Sequence, residues 1–482
     1  MKKLFWIFGG LFLASRLFFL ANYPHFFDSP EYLRLSLETD FFKSLSYSHE
    51  SIHPVYLFLT QLFRIFFSFL NLKFQIWQIS LTSAVFSILG IASFYLLIRK
   101  LFNERVAVFS ILPLILFPHL WLIQTNILHE SVEQGFFLFG LFVFSLFLEK
   151  GKLFFWVLAS LSWGLAVFNF IGIILWFPWV FGIFLLFPDK RKSKKDLLSL
   201  LLALCLAVFI GTSALYLVLE KISLEPMIHL KNLFLGYGGK GIFSNLSILD
   251  ILRIARNDFF ILLYGYSLAA IFVVFYFVFS YLKQKDYKGM LILFLFFLPF
   301  LVSGKFWYGG LFGRYSTLIA YPLSLFLALI PKKKIYFLLM CVLIAFYIPV
   351  FWTYQQKPIP EIQAVLIDKI GLEKNDLLIL SDYQRPQLED RYEMAVFLNG
   401  DEIKKQDIEN LIQKKLNKGE NVFISSQAVN FPFYQYDGQQ IHIISKGNAS
   451  KAILADFLVD KKLSLMEMDL KYPQLSLYKL EK

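Results

Sequence analysis

The sequence predicts an all-α polytopic membrane protein of about eleven transmembrane helices, with a small α/β domain appended at its C-terminal end. Three observations carry this. Hydrophobic residues make up 57% of the 482 and charged residues only 17%, where ordinary globular chains are about 25% charged. Up to residue 352 the apolar residues lie in long unbroken blocks, each near the ~20 residues that cross a bilayer as a helix. Beyond residue 358 the composition is that of ordinary soluble sequence. The expected division is a membrane domain over 1–357 and a soluble, extracytoplasmic α/β domain over 358–482.

Taken in order, the blocks fall at 4–21, 79–98, 106–123, 131–148, 153–169, 171–187, 197–218, 259–282, 289–303, 314–330 and 335–353. The first follows Lys2 and Lys3, is long for a signal-peptide core and lacks a small-residue cleavage site, so it reads as a retained helix. A further apolar stretch, 54–72, is decided by charge. If it does not cross, Arg99-Lys100, Lys150 and Lys152, the basic run 190–195, Lys283–Lys288 and Lys332–Lys334 all fall on the side of Lys2 and Lys3. If it crosses, all fall opposite. Basic residues concentrate on the cytoplasmic side, so 54–72 is predicted to be a helix lying in the interface within the first extracytoplasmic loop. Its polar residues Thr60, Gln61, Arg64, Ser68 and Asn71 recur at three and four, one face of a helix. The N-terminus is then cytoplasmic, and the C-terminal domain lies outside a cytoplasmic (plasma) membrane.

In that domain, Lys357-Pro358-Ile359-Pro360 reads as a hinge. Short apolar runs at 377–380, 422–425 and 441–444 read as strands, and the charged periodic stretch 406–418 as a helix. The net charge of +12 is spread over the inter-helix clusters and not along one soluble face, which excludes nucleic acid as a partner. Cys205 and Cys341 fall inside apolar blocks and read as reduced core residues. Arg16, near the outer end of the first helix, reads as snorkelling to the interface.

Ionisable residues at a membrane boundary are costly and therefore functional candidates. On the predicted outer side stand Asp28, Glu31 and Tyr32 just past the first helix, His53 before the interfacial one, and His129 and Glu130 in the second loop. A long fourth loop carries Lys240, and a fifth carries Lys305 and ends at Arg314-Tyr315. Each has a local reading beside a functional one. Asp28 before Pro30 fits a helix cap, and Glu130 fits a first-turn acid complementing the helix dipole. Arg314 sits at a helix start, where the dipole disfavours a cation, so an anionic partner fits it better. Lys240, within Gly236-Tyr237-Gly238-Gly239-Lys240, lacks P-loop spacing. Two carboxylates and several cations on one side suit transfer from a phosphorylated lipid: a carboxylate takes the acceptor's proton and Arg holds the leaving phosphate.

The order of Asp28, Glu31-Tyr32, His53-Pro54, Glu130 and Arg314-Tyr315 followed by Pro322 resembles the GT-C superfamily of polyprenyl-phosphate-dependent glycosyltransferases. The likeness is to the branch of protein O-mannosyltransferases and lipid A aminoarabinose transferases. It departs in three places: Asp28 has no adjacent Glu, Val55 stands where a second Pro is usual, and Glu130 where Asp is usual. The resemblance implies a sugar moved from a polyprenyl-phosphate donor to a hydroxyl on a lipid, glycan or protein, with inversion in a single displacement. It implies Asp28 as base or acceptor-orienting group and Glu130 as a second polar or metal-linked group. Arg314 with Lys305 or Lys240 would hold phosphate, and Glu31, Tyr32, His53 and Tyr315 would line the substrates. No cofactor is required by this reading, though a divalent metal would be compatible with it. The rival from another class is a carrier or flippase of lipid-linked saccharides without chemistry.

Overall fold

The computed structural model describes residues 2–22, 29–46, 53–187, 193–222, 247–306, 317–354, 359–381, 394–398 and 405–429, with shorter stretches between 388 and 392 and between 433 and 481. It divides into two compact units, one of the N-terminal helix with Tyr32–Phe351, the other containing Trp352–Lys482.

The first unit is helical. Its elements are α1 (Lys2–Leu17), α2 (Ser29–Leu37), α3 (Phe41–Ser46), α4 (Pro54–Phe69), α5 (Trp77–Leu101), α6 (Glu104–Leu116), α7 (Pro118–Thr125), α8 (Glu130–Lys150) and α9 (Leu153–Asn169). After a 3₁₀ turn at Ile171–Trp176 come α10 (Phe177–Leu186), α11 (Lys194–Lys221), α12 (Ile248–Gln284), α13 (Tyr287–Phe306), α14 (Ala320–Leu329) and α15 (Lys333–Tyr354). Local signals set several ends. Asn103 accepts from the Val106 amide at 3.0 Å to cap α6, Ser193 and Asp196 form a capping box on α11, and α8 stops at Gly151 in the left-handed region (φ 64°). Among the described residues four helices are long and apolar enough to cross a membrane: Trp77–Leu101, Glu130–Lys150, Lys194–Lys221 and Asp258–Gln284. The protein is an integral membrane protein. Cys205 and Cys341 are free and lie on exposed faces, not in the core, because an apolar helix in lipid turns hydrophobic side chains outward as well as inward.

The block 106–123, read as one straight span, is instead α6 and α7 bent by 74°. The cause is Pro118, which has no N–H to offer the Leu114 carbonyl four residues back. Arg16 supplies the donors. Its Nη2 donates to Leu114 O at 2.9 Å and Nη1 to Ile115 O at 3.1 Å, while Nε donates to Gln124 Oε1 at 2.9 Å. The side chain is fully buried, so the snorkelling expectation is wrong: carbonyls freed inside the membrane need a partner that lipid does not provide.

The helix expected in the first loop is α4, too short to cross at 16 residues. On its polar face Thr60 and Gln61 are buried, while Ser68 and Asn71 farther along are exposed. Ser36 donates to Thr60 Oγ1 at 2.9 Å, and Gln61 and Arg64 donate to the Leu35, Leu37 and Glu38 carbonyls that end α2. Phe58, Leu62, Ile65 and Phe69 are also exposed. The helix therefore uses its polar stripe as glue for α2, whose terminal carbonyls lack helical partners.

α5 and α8 pack closely near the start of α8. A Cβ on Gly135 would lie 2.7 Å from the Phe86 carbonyl, and one on Gly90 3.5 Å from the Gly135 Cα. Small residues at such crossings let two backbones approach.

The second unit holds a five-stranded sheet ordered β2-β1-β3-β7-β6. Leu377–Ser381 (β1) runs parallel to Ala395–Leu398 (β2) and Val422–Ser425 (β3), and Ser476–Leu480 (β7) is antiparallel to β3 and to Leu463–Met468 (β6). A separate hairpin joins Phe433–Tyr436 (β4) to Ile441–Ile444 (β5). Both faces of the sheet are covered: Ala364 and Ile367 of the helix Ile359–Ile370 (α16) pack beside Leu378 and Leu380, while Ile408 and Ile412 of Lys405–Asn417 (α17) pack beside Leu377 and Ile379. Strands alternating with helices give the expected α/β domain.

Here the Tyr392 hydroxyl donates to Asp368 Oδ1 at 2.6 Å, and Arg391 pairs with Asp368 and Glu361. Burial, then the bond to Asp368, pushes the Tyr392 phenol well above its ordinary value. A raised folded value means stability that is complete below the free tyrosine pKa of about 10 and is lost as pH rises through the folded value. Tyr392→Phe is therefore expected to lower the unit's stability by about 1 kcal/mol at pH 7 and to flatten its loss above pH ~10, measured by hydrogen exchange across 359–370 in the full chain.

Candidate functional site

The site is assembled where three helix ends meet: the start of α4, the start of α8 and the end of α9. The sequence brings a histidine to each of the two starts, His53 and His129, and their rings stack with centroids 3.4 Å apart and planes 12° from parallel. His129 Nδ1 lies 2.9 Å from Glu133 Oε1, an i,i+4 pair across the first turn of α8. A carboxylate only accepts, so Nδ1 carries the proton and Nε2 is left on the other side. There Glu130 Oε1 stands 3.7 Å from Nε2. His53 Nδ1 donates to the Asn169 carbonyl at 3.0 Å, which fixes the same tautomer in the second ring.

Asn169 ties the three ends together. Its Nδ2 donates to Glu133 Oε2 at 2.6 Å, its Oδ1 accepts from the Tyr56 amide at 2.8 Å, and its carbonyl accepts from His53. The Tyr56 amide is a first-turn donor of α4 with no partner inside its own helix, so Asn169 caps α4 from a different helix. Tyr32 meets His53, His129 and Tyr56 edge-on at 5.6, 5.9 and 5.4 Å, and Phe170 covers both histidines from 5.9 and 5.5 Å. His53, His129, Glu130, Glu133, Asn169, Tyr32 and Tyr56 are all buried.

Two positive rings stacked this closely would repel by ~4 kcal/mol even at a screened interior dielectric, so the stack holds at most one extra proton. Both Glu130 and Glu133 sit in the first turn of α8, where the helix dipole favours negative charge. The cluster thus sets a carboxylate on each of two sides of one buried imidazole. Among the described residues no group of three His, Cys, Asp or Glu side chains is arranged to hold a metal ion.

Of the residues singled out from sequence, Tyr32, His53, His129 and Glu130 come together in this cluster. Glu31 lies on α2 and Lys305 on α13, with their side chains outside the described residues, and Asp28, Lys240, Arg314 and Tyr315 lie outside them altogether. Glu133 and Asn169 were missed. The signal for Glu133 was its i,i+4 spacing from His129 on a helix start; Asn169 offered only a lone amide between apolar runs.

Residues 53–214, about a third of the chain, match the family model described as dolichyl-phosphate-mannose-protein mannosyltransferase. The chain resembles the GT-C polyprenyl-phosphate-dependent glycosyltransferases. That stretch contains His53, His129, Glu130, Glu133 and Asn169, every polar member of the cluster on α4, α8 and α9. Among solved structures the chain is similar to ArnT from Cupriavidus metallidurans in the apo state, with 12% identity, a TM-score of 0.49 and coverage of 98% of this chain and 96% of that one. It is also similar to the Archaeoglobus fulgidus oligosaccharyltransferase in the apo form, with 13% identity, a TM-score of 0.40 and coverage of 88% and 69%. No curated protein matches the chain.

Proposed function

We propose that this protein is a membrane glycosyltransferase that moves a sugar from a polyprenyl-phosphate donor to a hydroxyl on a lipid, glycan or protein acceptor. The carrying observation is the buried His53–His129–Glu133–Asn169 network lying inside the stretch that matches the mannosyltransferase family. The reading includes eleven spans, a cytoplasmic N-terminus and an extracytoplasmic C-terminal domain, supported by the distribution of basic clusters. Outside the cytoplasm there is no nucleotide-sugar supply, which favours a donor already activated on a lipid.

In the proposed reaction the bond between the sugar's anomeric carbon and the carrier phosphate breaks. The acceptor oxygen bonds to that carbon from the opposite face, and polyprenyl phosphate leaves with the electron pair. Asp28 accepts the acceptor's proton. Arg314, with Lys305 or Lys240, neutralises the leaving phosphate. Glu130 faces His129 and orders the pocket wall, and Tyr32 and His53 line the approach from α2 and α4. A divalent metal linked to Glu130 is compatible with these roles.

Purified full-length protein given a pool of polyprenyl-phosphate sugars and native membrane extract is expected to release polyprenyl phosphate. Asp28→Asn is expected to reduce release by about 10²-fold or more, the scale of general-base loss. Equal release by both would remove Asp28 from the mechanism. No release by either, with donor binding intact and a known transferase active in the same extract, would favour the carrier instead.

A further inference from the structure

A cavity of about 690 Å³ opens between α1, α5 and α6, and nothing in the glycosyltransferase reading uses it. Its lining is apolar, including Phe12, Ile88 and Ile91. Gly9 and Gly10 leave it unfilled: a Cβ built on either meets nothing within 4 Å. Trp6, also in the lining, is 74% exposed, so the cavity is a groove open along the outside of the membrane unit.

The charged groups of the lining are Arg99 and Glu104, and both flank one side chain. The Arg99 guanidinium lies 5.6 Å from the Tyr95 ring centroid, and the Tyr95 hydroxyl donates to Glu104 Oε1 at 3.1 Å. The charged end is a membrane surface, because α5 ends at Arg99-Lys100 and α1 starts at Lys2-Lys3. From Arg99 to Ile88, α5 rises about 16 Å, roughly half of the ~30 Å hydrocarbon core. The groove therefore runs from one surface to the midplane, the reach of a single leaflet's acyl chain.

We infer that this groove binds one glycerophospholipid whose headgroup carries both a phosphate and a primary ammonium, with the phosphate on Arg99, the ammonium on Glu104 and an acyl chain along Gly9 and Gly10. Charge complementarity selects this occupant. A headgroup with phosphate alone leaves Glu104 facing an anion, and a quaternary ammonium has no N–H to donate to it. Arg preferentially takes phosphate, and a carboxylate takes an ammonium, through charge-assisted hydrogen bonds.

Trp6 reports occupancy. The full-length protein is placed in nanodiscs containing a small fraction of tail-brominated phosphatidylethanolamine, phosphatidylcholine or phosphatidylglycerol, and the Trp6 signal is taken as the difference between wild type and Trp6→Phe. The ethanolamine lipid is expected to quench Trp6 about threefold more than either other lipid, the scale of a part-exposed ion pair. Glu104→Gln is expected to abolish that preference, and Gly10→Leu, which fills the groove, to reduce quenching by all three. Equal quenching by the three lipids in wild type, or a preference that survives Glu104→Gln, would overturn the assignment.

Discussion

Replacing Arg16 with Met is expected to destabilise the membrane unit by about 3–5 kcal/mol, the range for stripping partners from buried polar groups. The substitution keeps the apolar stem but removes the planar fork that serves Leu114 O, Ile115 O and Gln124 Oε1. The site is buried inside the protein, so the two carbonyls stay unpaired, and the cost exceeds that of the same change on an exposed helix. Arg16→Lys should recover part of the loss, because an ammonium reaches one carbonyl but does not span two with a rigid geometry. The effect should extend to the cluster, since Arg16 holds the end of α6 and, through Gln124, the last turn of α7, where Ala21 N just past α1 also donates to the Thr125 carbonyl at 2.9 Å, shortly ahead of His129. Unfolding of both variants in mixed micelles measures this. A change below about 0.5 kcal/mol for Arg16→Met, the scale of a neutral surface substitution, would show that the bend does not depend on the arginine.

Much of this architecture is legible in the sequence because hydropathy and helical period act locally. Glu130 opens α8 as its position after a polar loop foretold, 54–72 contains one short helix, and the strands at 377–381 and 422–425 coincide with their apolar runs. What was illegible depends on partners far along the chain. Pro118 sits among Phe117, Leu120 and Trp121, so block hydropathy runs smoothly through a 74° bend. Arg16 looks like an interfacial cation until the carbonyls about a hundred residues later are placed against it. In the cluster, an acid at the start of the fourth predicted span drew notice to Glu130, while Glu133, one turn on and inside that span, drew none. Its role comes from His129 and Asn169 together, and Asn169 is 36 residues away on another helix. Polar residues on α4 showed their common face in sequence, but not that α2 carbonyls would cover it.

Glu133 carries the second large expectation. Its two oxygens do different work: Oε1 accepts from His129 and Oε2 from Asn169. Removing both acceptors with Glu133→Ala leaves His129 able to turn out of the stack and frees Asn169 from its place over the start of α4. Polyprenyl phosphate release is expected to fall by about 10²-fold, the scale of a roughly 1 Å misplacement of the groups that position the reaction, with little change in KM for the donor. Glu133→Gln is nearly the same size yet should not rescue. Its carbonyl oxygen satisfies one donor, and its amide then meets the other donor head-on, since Asn169 and His129 both present N–H groups to this position. Glu133→Asp keeps the charge with one carbon less reach and should fall between wild type and Ala. A thermal melt of each variant separates misfolding from misplacement. An intact melt with unchanged release in Glu133→Ala would mean that the histidine stack is scaffold, leaving Glu130 and the acids of the first loop to carry the chemistry alone.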